Sequence, residues 1–133
     1  MPESYPRLGE LEHRVMDVLW DCPDDLCARQ VLERLAADLA YTTVATVLTN
    51  LTRKGMLVRT EGARSWAFRP TTSRSAYVAG CMVQSLRGAE DRSAALAGLV
   101  AVLTPPERDA LRAALDAALD TDDAPVEAVR PLR

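Results

Sequence analysis

Apolar residues at Leu8, Leu11, Val15, Val18 and Leu19, closed by Trp20, recur at a helical period and predict a first helix. The run Asp21-Cys22-Pro23-Asp24-Asp25 stops it, because Pro23 cannot continue the hydrogen-bond ladder. A second helix is expected over about Ala28 to Ala37, burying Val31, Leu32 and Leu35, with Cys27 where an N-cap residue belongs. The next stretch, Tyr41 to Leu57, reads YTTVATVLTNLTRKGML and is rich in residues that favour strands. Its periodicity says helix. Val44, Val47, Leu48 and Leu51 fall at i, i+3, i+4 and i+7, one narrow face of a helix. Thr42, Thr43, Thr46, Thr49, Asn50 and Arg53 fall on the opposite side. Gly55 ends the helix as a C′ residue, with Arg53 and Lys54 in its last turn, where cations suit the helix dipole.

After Gly55 the period becomes two. Met56 to Pro70 predicts strand, turn, strand, with the turn at Glu61 to Arg64 and with Trp66 and Phe68 alternating with Ala67 and Arg69. Trp20, Trp66 and Phe68 read as core or wing support. Helical patterns then return. Val78, Met82 and Leu86 lie in line before a stop at Gly88, and a second stretch carries Leu96, Leu99, Val100 and Leu103. Thr104-Pro105-Pro106-Glu107 is a helix start, with Thr104 as N-cap, Pro105 at N1 and Glu107 completing a capping box. That helix has Leu111, Leu115, Ala118 and Leu119 on one side. Residues 1–7 are expected to be loose.

Three helices followed by a basic hairpin is the order of a winged helix-turn-helix. The expected fold is therefore mainly α with a small β-hairpin wing. A winged helix-turn-helix domain would span 1–71 and a C-terminal helical dimerisation region 72–120. Residues 121–133, acidic, Pro-containing and aperiodic, would form a disordered tail.

Composition alone points away from nucleic acid, since the 133 residues carry a formal charge of −3. Distribution reverses that. Residues 41–70 hold Arg53, Lys54, Arg59, Arg64 and Arg69 against Glu61 alone, a local +4, which leaves −7 for the rest. Threonine and asparagine on the polar helix face are short enough to let it approach base edges and phosphates, and threonine's methyl packs on a thymine methyl. Arg53, Lys54 and Arg64 would neutralise phosphates, Arg64 from the hairpin tip. The same face is also consistent with a solvated surface or a protein-interaction module, and the architecture with a ligand-sensing regulator. Leu96, Leu99, Leu103, Leu111, Leu115 and Leu119 offer more apolar surface than short helices hide alone, and a two-fold dimer would cover it.

Three blocks, LGELEHRVMDVLW (Leu8 to Trp20), YTTVATVLTNLTRKGML (Tyr41 to Leu57) and GARSWAFRP (Gly62 to Pro70), together resemble the penicillinase-repressor family, the BlaI/MecI/CopY group. The likeness runs in order over roughly Leu8 to Leu119. It implies a homodimeric bacterial repressor that binds double-stranded DNA at a palindromic operator, typically built on TACA/TGTA half-sites. By motif position it places DNA contacts at Thr42, Thr43, Ala45, Thr46, Asn50, Arg53 and Lys54, with Arg64 in the wing. Ala45 stands where relatives carry a long polar side chain, which bears on base preference there. The resemblance also implies an inactivating protease. Relatives are cleaved at an Asn-Phe bond, and alignment puts Gly98-Leu99 at that place, a departure from the cleaved pair. The paired Cys-x-Cys motifs of the copper-responsive branch are absent from this sequence.

No other chemistry competes. Cys22 and Cys27 with a distant His13 do not make a four-ligand metal site, and Cys81, amid apolar helix residues, reads as a small buried hydrophobe. His13 is the lone histidine, and no nucleophile elbow, phosphate loop or carboxylate pair supports catalysis. No enzyme, cofactor or metal is expected. The odd count of three cysteines fits reduced thiols. With neither a signal peptide nor an apolar run of about 18 residues, a cytoplasmic protein without a membrane partner is expected.

Overall fold

A computed structural model describes residues 5–35 and 38–121. Helix α1 (Glu10–Trp20) starts two residues later than the apolar pattern, because Gly9 occupies the N-cap and its N–H donates to Glu12 Oε1 at 2.9 Å. Strand β1 (Leu26–Cys27) leads directly into α2 (Ala28–Leu35). Cys27 holds the N-cap place, its N–H donating to the Gln30 side chain at 2.9 Å. Residues 36 and 37, expected to end this helix, lie outside the described residues. Helix α3 (Tyr41–Arg53) is helical throughout, as its periodicity requires. Its threonines are accommodated by bonding backward: Thr49 Oγ1 donates to the Ala45 carbonyl at 3.0 Å and Thr52 Oγ1 to that of Leu48 at 2.8 Å.

The end of α3 is a Schellman motif. Gly55 has φ +83°, its N–H reaches the Thr52 carbonyl at 3.1 Å, and the Met56 N–H reaches that of Leu51 at 2.9 Å. Leu51 and Met56, the apolar pair that accompanies such a cap, are both buried. The reversal launches β2 (Leu57–Glu61), which pairs antiparallel with β3 (Trp66–Pro70) in the register Arg59↔Phe68 and Glu61↔Trp66. A tight turn closed by the Gly62 N–H on the Ser65 carbonyl, at 3.0 Å, joins them. The sheet has a third strand that periodicity did not predict: β1 pairs with β3, Leu26 opposite Phe68, giving the order β1-β3-β2.

One core serves this unit. Val15, Met16 and Leu19 of α1 meet Val31 of α2, Val44, Leu48 and Leu51 of α3, and Leu26, Leu57 and Phe68 of the sheet, all buried. Helix α4 (Arg74–Arg87) begins within it, for the compact unit extends through Gly80, past the boundary expected at residue 71. Tyr77 is buried, 5.5 Å from the Trp20 ring and 5.3 Å from that of Tyr5. A Cβ at Gly80 would collide with the Tyr5 ring, so only glycine admits it. Tyr5 is thus packed, although the N-terminal residues were expected to be loose.

The second unit starts at Cys81 and comprises the rest of α4, helix α5 (Arg92–Val102) and helix α6 (Pro105–Thr121). Asp91 caps α5 through the Ala94 N–H at 3.0 Å. The capping box of α6 forms as expected, the Thr104 N–H donating to Glu107 Oε1 at 2.8 Å and the Glu107 N–H to Thr104 Oγ1 at 3.4 Å. The Thr104 backbone N–H, and after it the Thr104 hydroxyl, hold the Glu107 carboxyl below its usual pKa. Arg108 reaches back to the Val100 and Ala101 carbonyls, satisfying acceptors at the end of α5. Not one residue of α5 or α6 is buried. Cys81 is half-buried, where its apolar neighbourhood had suggested full burial. Of the expected tail, Thr121 is the last residue of α6 and residues 122–133 lie outside the described residues.

Candidate nucleic-acid interface

Helix α3 divides into two faces. Val44, Val47, Leu48 and Leu51 are buried against α1 and α2, which turns Thr42, Thr43, Thr46 and Thr49 outward, all exposed. Ala45 and Asn50 lie at the margin, half-buried. Of the outward hydroxyls, that of Thr49 is taken by its own helix, whereas Thr42, Thr43 and Thr46 make no side-chain bond among the described residues. Tyr41, 47% exposed, opens the helix with the Arg29 guanidinium 6.0 Å from its ring centroid. Arg53 is exposed at the other end, its Nη1 donating to Asn50 Oδ1 at 3.2 Å. Arg64 is exposed in the hairpin turn.

Not every cation of the basic segment is free. Lys54 Nζ lies 2.7 Å from Glu12 Oε1 and 3.2 Å from the Arg7 carbonyl, so it ties the end of α3 to the start of α1. Partial burial opposes ionisation of Glu12, but the Gly9 N–H and the Lys54 ammonium prevail and hold its carboxyl below the ordinary range. Two of the three Lys54 donors are occupied in this way. Arg69 is held more completely. Its Nε and Nη2 grip the two Asp25 oxygens, each at 3.0 Å, and Thr60 Oγ1 donates to the same carboxylate at 2.8 Å. The Arg69 fork, with Thr60 behind it, depresses the Asp25 pKa. This cluster straps both wing strands to the loop before β1.

The electrostatics differ accordingly from the bare count. Five cations stand in residues 41–70, but Glu12 and Asp25 neutralise two of them and Glu61 offsets a third. About +2 remains, carried by Arg53, Arg59 and Arg64, none of which meets a carboxylate among the described residues. Glu12 and Asp25 were invisible to the local pattern because they lie 42 and 44 residues from the cations they hold. Among the described residues no group of three or more His, Cys, Asp or Glu is arranged to hold a metal.

The chain is similar to known proteins over most of its length. The family model described as penicillinase repressor matches residues 8–117. The transcriptional regulator BlaI of Mycobacterium tuberculosis, in two strains, is 46% identical over 114 residues, covering 82% of this chain and 83% of the relative. Among solved structures, the Bacillus licheniformis BlaI monomer in complex with the blaP half-operator is 25% identical, covering 56% of this chain and 92% of that one at a TM-score of 0.47. MepR, a transcription regulator of the Staphylococcus aureus efflux pump MepA, is 22% identical, covering 86% and 79% at a TM-score of 0.47. A helix with an outward polar face, a basic wing and a match across most of the chain agree: this chain belongs to the penicillinase-repressor family, and is a transcriptional regulator and not an enzyme.

Proposed function

We propose that the chain is a sequence-specific repressor that binds double-stranded operator DNA through α3 and the wing. The observation that carries this is the outward face of α3, a row of short hydroxyl side chains ending in an uncompensated cation. Such a face fits the major groove: Thr42, Thr43 and Thr46 are short enough to bring the backbone close to base edges, and Asn50 adds an amide. Arg53, and Arg64 from the wing, would hold phosphates and fix register. Lys54, anchored on Glu12, would present its remaining donor at the same end. Ala45 supplies only a methyl, so contact there is apolar.

The same reading makes the protein a homodimer in the cytoplasm. Leu96, Leu99, Leu115 and Leu119 are between 36% and 65% exposed in the single chain, and Leu103 and Leu111 are half-buried. A two-fold partner covering α5 and α6 would match a palindromic operator and make the second half-site contact intramolecular. Release by a protease acting at Gly98-Leu99 would require α5 to unwind, since that bond lies in its middle. No helix among the described residues is long and apolar enough to cross a membrane.

The test is anisotropy titration against the chain's own upstream DNA and a scrambled duplex over a range of salt. A preference of about 10³-fold or more for its own DNA is expected. Arg53→Ala should weaken binding to both duplexes and flatten the log–log salt slope by about 0.9 for each phosphate no longer neutralised. Unchanged affinity in Arg53→Ala at moderate salt would remove Arg53 from the interface. Retained binding of a protein partner with no salt-sensitive DNA binding would favour an interaction module instead.

A further inference from the structure

The wing carries a cation prepared for contact that belongs to neither the polar helix face nor the hairpin tip. Arg59 stands opposite Phe68 in the hairpin register, and Trp66 is its diagonal neighbour on the same sheet face. The Arg59 guanidinium carbon lies 4.4 Å from the centroid of the Trp66 ring, well inside cation–π range. Trp66 is 49% exposed, although a side chain of that size ordinarily gains most by burial. Phe68, two residues further along β3, is buried and packs with the core, so Trp66 is not needed to complete it.

Arg69 on β3 is held differently from Arg59 on β2. Both arginines lie on the two-stranded ribbon. Arg69 is closed by a bidentate carboxylate. Arg59 makes no ion pair among the described residues, even though Glu61 lies two positions along on its own strand face; the guanidinium rests on the indole instead. Stacking occupies the flat face of a guanidinium and leaves its in-plane N–H edge open, the edge that forks onto phosphate oxygens. The indole also narrows the rotamers of a long side chain, so less freedom is lost when a ligand is met. Arg53 at the end of α3, Arg59 on β2 and Arg64 in the following turn follow one another along the chain and are equally without a carboxylate among the described residues.

We infer that Arg59, braced by Trp66, is a DNA-backbone contact of the wing, with Trp66 its positioning residue. The inference rests on the DNA-binding reading above. A phosphate contact carries no sequence information, so removing it weakens own and scrambled duplexes alike. Each contact contributes about 0.9 to the salt slope, or about eight-fold in affinity at 0.1 M salt, and about sixty-fold for the two copies in a dimer.

The experiment titrates full-length wild type, Arg59→Gln, Arg59→Lys, Trp66→Ala and Arg53→Ala against both duplexes across a salt series, with thermal melts alongside. Arg59→Gln should lose about sixty-fold on both duplexes at 0.1 M salt, with a slope lower by about two. Arg59→Lys should keep the slope. Trp66→Ala should keep the slope too, because the charge remains, and lose only a few-fold in affinity. That retained slope is a readout that simple loss of wing packing would not preserve. If Arg59→Gln melts like wild type and binds within two-fold of it at an unchanged slope, while Arg53→Ala flattens the slope, the inference is overturned and the DNA-binding reading stands. Wild type with no salt-sensitive binding to either duplex would overturn both.

Discussion

Replacing Gly55 by alanine tests how α3 is ended. At φ +83° this residue lies in the left-handed region, and nothing lies within 4 Å of where a Cβ would be. The substitution therefore adds no collision, and its whole effect is conformational. Forcing an alanine into that region costs about 1–2 kcal/mol, because Cβ crowds the following carbonyl oxygen. The gain from a stiffer unfolded chain offsets about 0.4–1 kcal/mol of that. A net loss of about 1 kcal/mol remains, which in a unit of this size lowers Tm by about 4–8 °C. Gly55→Asn should recover part of it, since asparagine tolerates the left-handed conformation better. Urea unfolding followed by circular dichroism reads the change as a shift in midpoint at constant slope. An alanine variant as stable as wild type, or more stable, would refute the left-handed cap and with it the Schellman ending of α3. The order wild type above asparagine above alanine is the result the cap requires.

Leu48 is fully buried beneath the proposed reading face, so Leu48→Ala should destabilise by about 2–5 kcal/mol in the same unfolding assay. Asp25 contributes through a depressed pKa: its stabilisation is complete above the unfolded value of about 3.9 and is lost as pH falls through the lower folded value. Tm of the wild type should accordingly fall more steeply below about pH 4 than that of Asp25→Asn, which never has the charge to lose. Leu99→Glu, on the exposed apolar side of α5, should shift sedimentation equilibrium toward monomer and weaken operator binding while leaving the melting of the winged-helix unit unchanged.

Most of the fold is legible in the sequence because helices and caps are local events. The i, i+3, i+4, i+7 spacing of Val44, Val47, Leu48 and Leu51 outweighs the strand preference of the threonines between them. Thr104 and Glu107 cap α6 with partners three residues apart, and Gly55 announces its own conformation. The outward face of α3 follows from the buried one, so its candidate contacts are legible too. Trp66, grouped with Phe68 as support, turned out half-exposed, because alternation gives a residue's face but not how far the core reaches along it. Strand β1 escapes any periodic pattern: two residues become a strand only because β3 offers them a ladder. Tyr5 is packed because α4 brings Gly80 and the Tyr77 ring against it. The charge of the candidate interface was decided the same way. Residue types supply five cations, and the tertiary structure determines which remain available, by bringing Glu12 to Lys54 and Asp25 to Arg69 across more than forty residues of chain. Backbone periodicity is written within a few residues, whereas Coulombic and hydrogen-bond compensation depends on distances in space that only folding sets.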